Sequence, residues 1–180
     1  MIRQTLRTLF QGAATGPAPP DAGFEADVQA LAERLDATAR RRLGRSLALL
    51  HVDGGGCGGC ALELRALEGL AYDLARYGLS FVSHPGAADV LLLTGPVTRA
   101  MQGAVVAAWQ AMADPRWVVA VGDCAAGGGP FQASYAVQPD PVLPLDLVIP
   151  GCPPAPAQVL AGLRALVEAN AGQAGASPPS

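Results

Sequence analysis

Between residues 46 and 169 the chain alternates short, almost wholly apolar runs with longer stretches whose apolar residues recur every three or four positions. Short apolar runs suit strands buried on both faces, and the longer period suits amphipathic helices. The strand-sized runs are 46–52 (SLALLHV), 79–83, 89–94 (DVLLLT), 116–121 and 146–149. Helical stretches lie between and after them: 61–77 with Leu67, Leu70, Leu74 and Tyr77 on one face, 96–112 with Val97, Met101, Val105, Ala108 and Met112, and 156–169. A methionine stripe at that spacing reads as core. The alternation predicts an α/β fold, a flavodoxin-like doubly wound parallel sheet with helices on both faces.

Sheets of this kind bind ligands beyond the carboxyl ends of their strands. All four cysteines fall there: Cys57 and Cys60 in HVDGGGCGGC after the first strand, Cys124 in VGDCAAGGG after the fourth, and Cys152 in IPGCPP after the fifth. Far apart in the chain, they meet on one rim if the sheet forms. Core cysteines belong inside strands or helices, whereas these lie in loops rich in glycine or proline. Disulfides are disfavoured, because the N-terminal MIRQTLRTLF has neither the apolar region nor the cleavage site of an export signal. A CxxC redox pair would leave Cys124 and Cys152 idle. Structural zinc stays open, although zinc ribbons usually pair two CxxC knuckles and the split here is two, one and one.

A 4Fe-4S cluster takes one thiolate per iron and so suits ligands from several loops, provided small residues surround it. Gly54, Gly55, Gly56, Gly58 and Gly59 flank the first pair, and Gly127, Gly128 and Gly129 follow Cys124. Gly56, Gly59, Gly122 and Gly127 are therefore candidate cofactor contacts, since glycine lets backbone amides approach the sulfides. Thr94, Gly95 and Arg99 form another rim loop, and Thr94 and Arg99 are further candidates there, with a plain turn as the alternative. Cys60 precedes a helix, which puts an anionic centre at a positive helix end, and Pro153 and Pro154 suit the start of the last helix. Glu63 is a candidate proton relay, or equally an acid favoured by the helix dipole. His51 and His84 read as satisfied or surface histidines and stay outside the metal shell.

Composition removes other classes of function. All 12 basic residues are arginine, which excludes a Walker lysine, a Schiff-base lysine and a lysine base. A phosphate-binding loop is a weak reading of the glycines, and a bound flavin would not need the cysteines. A net charge of −3 argues against nucleic acid as a partner. Charged residues make up only 15% of the chain, against about 25% in typical soluble domains, so a partner is expected to cover part of the surface. No apolar run approaches the ~20 residues of a membrane span. Residues 1–22 read as an amphipathic segment and linker, 23–170 as the iron-sulfur domain, with a first helix near 24–42 ending in Arg40, Arg41 and Arg42, and 171–180 as a disordered tail.

The segments GCGGCALE, TGPVTRAM, VGDCAAGGGPFQASYAV and IPGCPPAPAQVLAGL resemble the cluster-bearing small subunit of membrane-bound nickel-iron hydrogenases, of the formate hydrogenlyase and hydrogenase-4 type, and its homologue in respiratory complex I. The resemblance spans 46–169 and implies one 4Fe-4S cluster on Cys57, Cys60, Cys124 and Cys152, with Glu63 at the family's glutamate position. Complex I subunits carry adjacent cysteines at the first position, and the hydrogenase branch separates them by two residues, as here. Ala61 stands where several members carry a charge. The resemblance further implies an electron-transfer role in hydrogen oxidation or proton reduction, or in electron delivery to quinone. A large catalytic subunit, membrane-arm subunits and a further iron-sulfur subunit are the implied partners, at the cytoplasmic face of the inner membrane. Phe131 and Tyr135 are candidates to pack on the large subunit, with core packing as the alternative.

Overall fold

The apolar runs become strands because leucine and valine on both sides of each run find cover on both sides of a sheet. In the computed structural model, which describes residues 46–72, 74 and 79–169, the strands are β1 (Leu47–Asp53), β2 (Leu79–Phe81), β3 (Val90–Thr94), β4 (Trp117–Val121) and β5 (Leu147–Ile149). They pair in parallel in the order β2-β1-β3-β4-β5. This is the flavodoxin order, whose direction of winding reverses between β1 and β3.

Among the described residues, four α-helices accompany the strands: α1 (Gly59–Ala66), α2 (Gln102–Gln110), α3 (Asp123–Gly127) and α4 (Pro156–Ala169). Alternate strand residues feed two cores. Leu47, Leu49, Val90, Leu92, Val119 and Val121 join Leu64 and Leu67, in and just after α1, and Val159, Leu160 and Leu163 of α4. Leu50, Leu91, Leu93 and Val118 join Val105 of α2 and Met112 on the opposite face. The predicted fold class and its two covered faces are thus what the chain adopts. At the far end of the sheet, Asp89 accepts a hydrogen bond from the Ala48 amide at 2.9 Å and Asp146 accepts one from the Val118 amide at 2.7 Å. Those carboxylates satisfy buried backbone donors.

Two helices are shorter than their apolar patterns suggest. The expected helix 61–77 starts earlier, at Gly59, and ends at Ala66. Beyond it Leu67, Glu68 and Gly69 donate to carbonyls three residues back, the tighter geometry in which helices commonly close. Leu67 and Leu74 still reach the core, whereas Leu70 is fully exposed rather than part of a stripe, and Tyr77 lies outside the described residues. The expected helix 96–112 begins only at Gln102, because Thr98 bonds the Gly54 carbonyl of the neighbouring rim loop while Val97 and Arg99 pair with Gln138 and Ala136. The N-terminal segment 1–22, the helix expected near 24–42 and the tail 171–180 also lie outside the described residues. Among the described residues, no helix is long and apolar enough to cross a membrane.

Candidate metal centre

The register of β1 on β3 places Asp53 beside Thr94 at the carboxyl rim, where both strands release their loops. The Asp53 carboxylate accepts hydrogen bonds from the amides of Gly55 and Gly56, at 2.9 and 3.2 Å. It thereby curls the chain back before Cys57, the turn that a short acidic side chain followed by glycine commonly builds. The Gly54 amide donates to the Thr94 carbonyl at 2.7 Å, and the Thr98 hydroxyl and amide both donate to the Gly54 carbonyl. The fit leaves no room for side chains: a Cβ on Gly95 would lie 2.6 Å from the Gly56 nitrogen.

A second tie joins the remaining cysteine loops. The Asp123 amide donates to the Gly151 carbonyl and the Gly151 amide donates to the Asp123 carboxylate, both at 2.9 Å. Cys124 and Cys152 are the neighbours of that reciprocal pair. Gly122 opens α3 with φ +93°, and a Cβ there would lie 2.6 Å from Cys60 Sγ; one on Gly129 would lie 3.0 Å from Cys124 Sγ. Glycine at these positions is what allows the sulfur atoms to turn inward.

The outcome is one cavity of about 100 Å³ lined by Cys57, Cys60, Cys124 and Cys152, with Asp53, Ala61, Thr94, Pro153 and glycines completing its wall. Cys124 is buried, Cys60 half-buried, and Cys57 and Cys152 exposed. Burial pushes the Cys60 thiol up in pKa, and Cys124, Cys152 and Cys57 add to the shift. Burial likewise raises Cys124, followed by the effects of Cys152, Cys57, Asp123 and a hydrogen bond with Cys152. The cysteines therefore repel one another as thiolates, and a cationic centre among them would reverse that penalty. Among the described residues, no three His, Cys, Asp or Glu side chains are placed to hold a single metal ion. The donor set and the small-residue walls fit a larger, thiolate-bound cluster.

The other candidate residues separate. Gly56, Gly59 and Thr94 line the cavity, and Gly122 backs Cys60. Gly127 does not reach it; as the last residue of α3 it borders a smaller cavity of about 40 Å³ with Val97, Val137 and Leu143. Arg99 is exposed and absent from the cavity wall, its backbone amide donating to the Ala136 carbonyl at 2.8 Å. Glu63 is half-buried in α1 but does not line the cavity; its charge adds to the burial that raises the Tyr72 hydroxyl pKa. His84 caps a 3-10 turn at Pro85–Ala87 by accepting from the Gly86 amide. His51 Nε2 lies 2.9 Å from the Thr94 hydroxyl. Phe131 and Tyr135 are exposed, so neither is core. Sequence reasoning missed Asp53, Asp123 and Gly151; an acid followed by glycine was the available signal for the first.

Residues 57–166 match the family described as the 20 kDa subunit of NADH ubiquinone oxidoreductase. The chain is 41% identical over 130 residues to formate hydrogenlyase subunit 7 of Escherichia coli strain K12, covering 71% of this chain and 51% of that protein. It is 44% identical over 112 residues to the NADH-quinone oxidoreductase B subunit of Clostridium beijerinckii, covering 61% of this chain and 66% of that protein. The matched stretch thus spans about half the length of the first relative. A chain of the membrane-bound sulfane sulfur reductase, an archaeal respiratory membrane complex, superposes with TM-score 0.63 at 31% identity, over 79% of this chain and 78% of that one. A chain of the Dm. baculatum [NiFeSe]-hydrogenase superposes with TM-score 0.54 at 19% identity, over 76% and 67%, and shares the fold.

Proposed function

Because the chain belongs to the family of the 20 kDa subunit of NADH ubiquinone oxidoreductase, we propose that it is the electron-transfer subunit of a membrane-associated oxidoreductase and holds one 4Fe-4S cluster through Cys57, Cys60, Cys124 and Cys152. The observation that carries this reading is the enclosure of a single cavity by thiols from three separate loops. Four soft sulfur donors select zinc or an iron-sulfur cluster. A cavity of about 100 Å³ walled by glycine backbone favours the cluster, whose sulfides need amides close by.

When bound, the cluster would accept and release electrons one at a time. The chain's residues hold and insulate it. Asp53 and Asp123 pin the ligand loops, Gly122 and Gly129 leave space for the sulfur atoms, and Asp53 and Thr94, paired at the carboxyl rim of β1 and β3, seat the site at the end of the sheet. The two-residue separation of Cys57 and Cys60, together with the likeness to a formate hydrogenlyase subunit, favours a nickel-iron hydrogenase complex that oxidises hydrogen or reduces protons. Its partners would be a large catalytic subunit, membrane-arm subunits and a further iron-sulfur subunit, at the cytoplasmic face of the inner membrane. The likeness to a component of NADH-quinone oxidoreductase supports a second reading, electron delivery to quinone.

Anaerobic purification of the complex, followed by iron and sulfide analysis, tests the reading. About four irons and four sulfides per chain are expected. Cys152→Ser should abolish the paramagnetic resonance signal of the cluster while circular dichroism stays unchanged. An unchanged signal, or a colourless protein holding one zinc, would overturn the assignment.

A further inference from the structure

Beside the cysteine cavity lies a polar pair that holding the cluster does not by itself require. Thr94 ends β3, is 2% exposed and lines the cavity. His51 sits on β1, and its Nε2 reaches the Thr94 hydroxyl across the β1–β3 pairing at 2.9 Å. A threonine hydroxyl has one proton to give and lone pairs to accept with. If His51 Nε2 accepts, that proton is used up within the pair. If Nε2–H donates, the proton is free for an acceptor in the cavity that Thr94 lines.

Resting on the cluster-binding reading above, we propose that His51 is a positioning residue: its Nε2–H donates to Thr94, so that the Thr94 hydroxyl donates in turn to a cluster sulfur and raises the cluster's reduction potential. The sign follows from charge. A reduced cluster is the more negative form, and a donor aimed at its sulfur stabilises that form more than the oxidised one. His51 acts through its tautomer rather than through a charge. Burial holds the ring below its ordinary pKa, Asp53 on the same strand opposes that shift, and Arg65 on α1 reinforces it, so the imidazole is neutral near pH 7. A ligand sphere oriented by outer hydrogen bonds is the usual way a protein tunes such a centre.

The test is a reductive titration of the cluster's paramagnetic resonance signal in the intact complex, at neutral pH, with viologen mediators as one-electron donors. Thr94→Val keeps the shape and loses the hydroxyl; its midpoint should move to a more negative potential, and Thr94→Ser should restore it. His51→Phe should shift the midpoint in the same direction, and the double variant with Thr94→Val should go no further than Thr94→Val alone. A full additional shift in the double variant would show that His51 does not act through Thr94 and would overturn the proposal. So would an unmoved midpoint in Thr94→Val with its spectrum intact. If Thr94→Val loses its cluster, His51→Phe decides: an unmoved midpoint there overturns the inference. Absence of any iron-sulfur signal from the unaltered complex would sink the cluster reading instead.

Discussion

At Gly122 a single missing carbon decides whether Cys60 can face the cavity. Its backbone, at φ +93° and ψ 158°, lies in a region open essentially to glycine. Gly122→Ala should cost about 1–3 kcal/mol in backbone strain, read as a lower denaturant midpoint, and should reduce iron per chain because the new methyl would press on Cys60 Sγ. Full iron content would mean that Cys60 moves aside freely. The cysteines were legible in the sequence because each follows a recognisable strand. Asp53 and Asp123 were not, since their roles depend on which loops lie side by side, and Gly151 becomes a partner only once β4 and β5 pair. The reading of His51 as a satisfied histidine agrees with its bond to Thr94, yet only the register of β1 against β3 reveals the partner.

Among the elements, the strands and α4 were readable because an apolar run with no polar interruption has one economical use, burial on both faces. Helix ends were less readable. Apolar spacing around Leu67, Leu70 and Leu74 looks periodic, but the turn at Gly69 rotates Leu70 out to solvent while Leu67 and Leu74 remain buried. Leu67→Ala should therefore cost about 2–5 kcal/mol by leaving a cavity, whereas Leu70→Ala should stay within about 0.5 kcal/mol of the unaltered protein. Equal losses in urea unfolding would contradict the early end of α1. The start of α2 was hidden for another reason: Thr98 is committed to Gly54, a contact far away in the chain.

For the molecule as a whole, the two apolar cores lie on the sheet faces and engage few residues of the cavity wall. Removing the proposed cluster with a chelator under reducing conditions should leave far-UV circular dichroism largely intact. Amide hydrogen exchange should then rise in 54–60, 122–129 and 150–154, while β1, β3 and β4 stay protected. Collapse of the secondary structure would show that the sheet depends on its cargo. The family match runs from Cys57 into α4 and so takes in all four cysteines together with β2 to β5.

If the chain holds the proposed cluster, the uneven exposure of its cysteines implies an order for biogenesis. All four line the cavity, yet Cys57 and Cys152 are exposed while Cys124 is buried, so solvent reaches the seat at the first two. Iron and sulfide delivered by an assembly factor would enter there, and any subunit that later shuts the doorway must come second. A chain isolated before its neighbours dock should already carry metal; an empty chain at that stage, filled only after docking, would reverse the sequence of construction.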